Sequence, residues 1–196
     1  MQKFRGLYAL CDYSTLQLKD ISLAHFSEII YEYPTFYIQY RDKKNDLSIQ
    51  IENVKELKRL CSDIPIIIND YFDLLCVADG LHLGQEDLDK FMLKNEILTK
   101  KEAIDFIKEQ YPNKIIGLST HSFDEVEEAN YLALDYIGLG AYRNTSTKDV
   151  QYLLGDDLSL IAAQSRHPVA AIGGVKIHDR IGNVTFNVVG SGLYDN

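Results

Sequence analysis

Cysteine is scarce and odd in number, three in 196 residues, which excludes a framework of paired disulfides. Cys11, Cys61 and Cys76 each sit beside apolar residues in segments that read as strand or helix, so buried free thiols in a reducing cytosol are expected. Positive charge is also short: 20 Lys and Arg against 29 Asp and Glu leave a net −9. A surface of that sign repels phosphodiester polymers and anionic lipid, so neither nucleic acid nor membrane is the expected partner; small anionic substrates remain open where the few cations gather. No uncharged run reaches the roughly 18 residues of a membrane span, and Met1-Gln2-Lys3-Phe4-Arg5 lacks the apolar stretch of a signal peptide, so a cytoplasmic location is expected. Linkers rich in Pro, Gly or Ser, low-complexity segments and internal repeats are missing as well, which leaves one domain over residues 1–196.

What is present is an alternation of short apolar runs with longer amphipathic ones. The runs are Leu7 to Cys11, Phe36 to Tyr40, Ile66 to Asn69, Gly80 to Leu83, Ile115 to Ser119, Tyr136 to Leu139, Val169 to Ile172 and Phe186 to Val189. Helical spacing marks Ser22 to Tyr31, Ser48 to Leu60, Glu102 to Gln110, Asp124 to Leu134 and Asp157 to Gln164. Thr99 with Glu102 and Ser122 with Glu125 each fit a capping box. Repeated βα units of this length predict a compact α/β (β/α)₈ TIM barrel, an open doubly wound sheet being the alternative. Too little chain remains after Val169 for full helices, so a shortened helix 7 and no helix 8 are expected, with a partner subunit or a neighbouring segment covering the outer face.

In such a barrel the chemistry sits where strands end. Gln39, Arg41 and Lys43 share a face by alternation, which suits capture of a phosphate or diphosphate; a self-compensating loop with Asp42 and Lys44 fits the same spacing. Asp70 and Asp87 end the third and fourth runs and suit Mg²⁺, although both also fit helix N-caps. His82 reads as a packed, hydrogen-bonded residue. Ser119 and His121 alternate onto one face without the geometry of a nucleophile and base, which points to hydrogen bonding of a heterocycle. Arg143 to Lys148 forms a polar loop able to close on a diphosphate, and Gly173-Gly174 and Gly190-Ser191-Gly192 allow backbone amides close to a phosphate.

Taken together, Gln39 to Lys43, Ile68 to Asp70, Ala78 to Asp87, Gly117 to His121, Thr145 to Lys148 and Ala171 to Gly174 resemble thiamine phosphate synthase, in order and over nearly the whole chain, from Leu7 to Ser191. The resemblance implies an enzyme, a transferase joining a hydroxymethylpyrimidine diphosphate to thiazole phosphate with release of pyrophosphate. It implies Gln39, Arg41, Lys43 and Asn69 as pyrimidine-diphosphate ligands, Asp70 and Asp87 as Mg²⁺ ligands, and Ser119 as the pyrimidine contact. Thr145 and Thr147 then hold thiazole phosphate, Lys148 holds pyrophosphate, and Gly174 and Ser191 supply phosphate amides. The stretch from Asp87 to Ile115 is longer than that family's, Val175 to Thr185 is shorter, and Gly190 stands where a larger apolar residue is usual.

Two rival readings remain. A thiazole tautomerase, a related barrel, would use His121 as acid or base but has no diphosphate for Lys43, Asp87 and Lys148 to bind. A non-catalytic paralogue would bind a phosphorylated ligand alone. A homo-oligomer, with a dimer favoured, is expected from the thinned outer wall.

Overall fold

The computed structural model describes residues 6–144 and 153–194. Eight parallel strands close in sequence order into a barrel, with β8 pairing back onto β1 from Gly6↔Phe186 to Ala9↔Val189. The strands are β1 (Gly6–Asp12), β2 (Thr35–Arg41), β3 (Ile66–Asn69), β4 (Gly80–Leu83), β5 (Ile115–Thr120), β6 (Tyr136–Leu139), β7 (Val169–Ala171) and β8 (Phe186–Val189). The helices are α1 (Tyr13–Leu18), α2 (Leu23–Tyr31), α3 (Leu47–Leu60), α4 (Gln85–Lys94), α5 (Lys100–Gln110), α6 (Phe123–Ala129) and α7 (Asp157–Ala162).

β4, β6, β7 and β8 are buried throughout, which is why they read as continuous apolar runs, whereas β2 leaves Phe36 exposed. In β3 the β-branched side chains of Ile66 and Ile68 pack outward against the helices while Ile67 packs inward. The barrel interior is a separate cluster around Tyr8, Ile67, Tyr136, Ala170, Phe186 and Val188. In α3 the buried Gln50, Val54 and Leu57 follow the helical period, and Lys58 and Arg59 sit in the last turn, where the helix dipole favours cations.

Thr99 and Glu102 form the reciprocal capping box expected at α5. At α6 only half of the expected box is present: the Ser122 hydroxyl accepts from the Glu125 N–H, but the Glu125 carboxylate turns to the backbone and ring of His121. That helix also stops at Ala129, because Asn130 bonds across to Gln164 and Arg166. Cys11 and Cys61 are buried as expected, whereas Cys76 is exposed at the end of a 3₁₀ turn, Phe72–Cys76.

The wall of the barrel is thin after β7. Residues 172–185 between β7 and β8 carry turns in place of even a short helix, and among the described residues a 3₁₀ turn, Ser191–Leu193, is the one element after β8. The outer face of β8 is covered by its own chain: Val175, Ile181 and Val184 are buried beside Val189, and the Asn187 amide donates to the carbonyls of Lys176, Ile177 and Asp179. No helix among the described residues is long and apolar enough to cross a membrane.

Candidate active site

The carboxyl ends of β1 to β5 bring the polar side chains to one rim. Gln39 is buried and donates through Nε2 to Asn69 Oδ1 at 2.8 Å, and the Asn69 amide donates in turn to Asp70 Oδ2. Arg41 is ion-paired with Asp12 at the end of β1. Lys43 is exposed, and its charge and that of Arg41 both act on Asp70. Asp42 does not compensate these cations. It faces the other way, accepting from Tyr40 Oη, the Asn45 amide and the backbone of Lys44 and Asn45.

Asp70 and Asp87 are not helix caps. Asp70 adopts a left-handed backbone, φ 65°, and its Oδ1 accepts from the Gly84 N–H at 3.3 Å. Asp87 lies in the first turn of α4 and pairs with Lys90 at 2.9 Å. A Cβ built on Gly84 would meet Asp87 Oδ2 at 3.1 Å and Asp70 Oδ1 at 4.0 Å, so the two carboxylates flank a space that a side chain would fill. Burial, then the charge of Asp87, raise the Asp70 carboxyl above its ordinary pKa, opposed by the Gly84 N–H, Lys43 and Arg41. Two hard oxygen donors with room for water and phosphate oxygens fit Mg²⁺. Among the described residues no group of three His, Cys, Asp or Glu side chains gathers as a softer site would require.

Ser119 is buried at the end of β5, and its partner is His82, whose Nε2 lies 2.9 Å from Ser119 Oγ. The Ser119 carbonyl accepts from Gln85, which is held by Lys100. His121 stands one residue past the strand, exposed, with its bonds directed to Glu125 of α6. Gly173 and Gly174 both have positive φ, 79° and 62°, and Cβ atoms there would collide with Ala141 and Asn144. Arg143 ties this turn down through Asp179 and the Gly174 carbonyl. Ser191 opens the 3₁₀ turn after β8. Thr145, Thr147 and Lys148 lie outside the described residues.

Sequence reasoning missed Asp12, Gln85 and the part played by His82. The signals existed: Asp12 is the first polar residue after an apolar strand, and His82 lies two residues from Gly80 on the inward face.

The fold and this rim have counterparts. The family described as thiamine monophosphate synthase matches residues 7–186. The thiamine-phosphate synthase of Persephonella marina is 37% identical over 175 residues, 87% of this chain and 77% of the relative. That of Staphylococcus saprophyticus is 31% identical over 88% of this chain and 79% of its own length. A solved thiamine phosphate pyrophosphorylase from Pyrococcus furiosus superposes with a TM-score of 0.70, at 26% identity, over 95% of this chain and 87% of that one. An aldolase, 13% identical with a TM-score of 0.64, shares the fold alone. Matched along nearly its whole length, and with the paired carboxylates and the Gln39 to Arg41 strand end gathered at one rim, the chain belongs to the thiamine monophosphate synthase family.

Proposed function

We propose that this protein is a transferase that joins hydroxymethylpyrimidine diphosphate to thiazole phosphate and releases pyrophosphate. The observation that carries the reading is the convergence of Asp70 and Asp87 around Gly84 within reach of the charges of Lys43 and Arg41, because a diphosphate leaving group needs cations where its charge develops. Bound between the two carboxylates, Mg²⁺ would neutralise diphosphate oxygens as a Lewis acid. Arg41 and Lys43 would bind the same group from the end of β2, and Lys148 is proposed to bind it as well. The Gln39–Asn69 pair fixes one wall, and Ser119 hydrogen-bonds the heterocycle. Departure of pyrophosphate leaves a delocalised pyrimidine methylene cation that the thiazole nitrogen attacks, so no protein nucleophile is required. Thr145, Thr147, Gly174 and Ser191 would hold the thiazole phosphate.

A coupled assay for pyrophosphate release, run with both substrates, with each alone, and with and without Mg²⁺, tests this. Turnover only with both substrates and the metal is expected. Binding of thiazole phosphate without turnover would favour the non-catalytic reading. Isomerisation of a thiazole carboxylate phosphate without metal would favour the tautomerase. The reading places the enzyme in the cytoplasm, where its free thiols stay reduced. The expected homodimer is a separate proposal, since β8 is already covered from within the chain; sedimentation measures it.

A further inference from the structure

A chain of hydrogen bonds runs up the barrel interior to the candidate site. Tyr8 Oη lies 2.7 Å from Tyr136 Oη, Tyr136 Oη lies 2.9 Å from His82 Nδ1, and His82 Nε2 lies 2.9 Å from Ser119 Oγ. The residues around it leave it space. A Cβ on Gly117 would stand 2.2 Å from the Tyr136 ring, and one on Gly138 would stand 2.9 Å from His82 Cε1. The imidazole stacks on the Tyr136 ring, with centroids 5.5 Å apart and planes 20° apart.

Hydrogen positions follow from the closed end of the chain. Burial raises the pKa of both phenols, so each keeps its proton. Tyr8 is 1% exposed, and Tyr136 Oη is the one hydrogen-bond partner of its hydroxyl among the described residues. An unmade O–H in this interior is costly, so Tyr8 donates to Tyr136. Tyr136 then donates its own proton to Nδ1 of His82. A neutral imidazole with Nδ1 accepting carries its proton on Nε2, and that N–H donates to Ser119 Oγ. The Ser119 hydrogen is left for a ligand.

We propose that Tyr136 and His82 act as positioning residues that leave the Ser119 hydroxyl hydrogen free to donate, so the site favours a heterocycle presenting a bare ring nitrogen to it. The inference rests on Ser119 being the heterocycle contact of the proposed reaction.

Nitrogen NMR of the ligand-free full chain reads the first half directly. The His82 ring is expected to carry a proton on Nε2 and none on Nδ1. A proton on Nδ1, or on both nitrogens, at neutral pH overturns the assigned direction. Tyr136→Phe removes the donor to Nδ1, so the tautomer preference is expected to be lost while the circular dichroism spectrum is kept; Tyr8→Phe, which leaves Tyr136 in place, is expected to retain it.

Calorimetry reads the second half, comparing the aminopyrimidine diphosphate with its two pyridine analogues, each with one ring nitrogen replaced by C–H, in the presence of Mg²⁺. One analogue is expected to bind roughly tenfold more weakly, and Ser119→Ala is expected to remove that difference. Equal binding of all three by the unaltered protein overturns the selectivity. Failure of the parent diphosphate to bind at all, beside an Nε2 proton on His82, defeats the proposed function and the heterocycle half with it, while the direction of the hydrogen bonds stands.

Discussion

Arg41 is ion-paired with Asp12 across the seam between β2 and β1, and the same carboxylate caps α1 through its other oxygen, accepting from the Thr15 N–H at 2.9 Å and its hydroxyl at 2.8 Å. Only 19% of the Arg41 side chain and 8% of the Asp12 side chain are exposed, so the pair is shielded enough to matter. Asp12→Asn keeps an acceptor for the cap and removes the counter-charge. We expect it to destabilise the fold by about 2 kcal/mol and to raise KM for the pyrimidine diphosphate roughly tenfold, because the guanidinium is no longer pre-oriented. Asp12→Ala should cost about 1 kcal/mol more through the lost cap. Urea unfolding and steady-state kinetics check both, and an unchanged KM in each variant would remove Arg41 orientation from the argument.

Asp70 is a stability liability in the metal-free protein. Its folded pKa is raised, so the stability it contributes is full below the unfolded value and is lost as pH rises through the folded one. Once ionised, this half-buried carboxylate stands beside the charge of Asp87. Asn tolerates the left-handed backbone at this position. Asp70→Asn in the presence of a chelator is therefore expected to melt at a higher temperature than the parent at pH 7, with the difference vanishing on acidification. Its turnover is expected to fall by about 10² or more through loss of a metal ligand. Thermal melts across pH and the pyrophosphate assay read the two effects separately.

Gly84 offers a test that leaves both carboxylates in place. Its backbone, φ −77° and ψ 161°, suits any residue, so Gly84→Ala carries no conformational strain. The new methyl would press on Asp87 Oδ2 from 3.1 Å. Mg²⁺ affinity, measured by calorimetry, is expected to drop roughly tenfold while the melting temperature stays close to that of the parent. Unchanged affinity would mean that the metal does not sit between these two residues.

Much of this architecture was legible because the strands of a parallel barrel are apolar on both faces. The runs at Ile66 to Asn69, Gly80 to Leu83, Tyr136 to Leu139 and Phe186 to Val189 coincide with β3, β4, β6 and β8. Strand ends were legible for the same reason, since Asp70 and Gln39 appear where an apolar run gives way to polar residues. Two helices escaped. α4 buries only Leu88 and begins at an uncapped Gly84, so it shows neither a clear period nor a start signal, and α1 is six residues long, too short to show a period behind its Asp12 cap. Pairings between strands were not legible at all: Arg41 with Asp12, and Ser119 with His82, join residues 29 and 37 positions apart, and only the parallel pairing of β1 with β2 and of β4 with β5 brings them together. The half-formed box at Ser122 shows the limit of local motifs, because Glu125 had a second donor in reach and took it.

One arginine clasps the thin end of the barrel. Arg143 Nη1 lies 2.5 Å from Asp179 Oδ2, Nη2 lies 3.1 Å from Oδ1, and Nη1 also reaches the Gly174 carbonyl at 3.2 Å, so a single guanidinium links the end of β6 to the turn after β7. Asp179 is in turn held by the Lys176 N–H at 2.8 Å. Burial would raise the Asp179 carboxyl, but Arg143 and that N–H outweigh it and hold the pKa below its ordinary value. Its contribution is thus present above the unfolded pKa and lost only as pH falls through the lower folded one, so the clasp is intact at pH 7. With no helix in this crossover, the clasp joins the backbone bonds from Tyr142 to Ile172 and from Arg143 to Gly173 in keeping Gly174 against Asn144. Arg143→Ala is expected to raise KM for thiazole phosphate roughly tenfold and leave that for the pyrimidine diphosphate unchanged, at a stability cost of about 1 kcal/mol. Arg143→Lys, which lacks the two-pronged geometry, should recover little of the lost affinity. An equal rise in both KM values would mean that the turn after β7 serves the whole site and not the thiazole half.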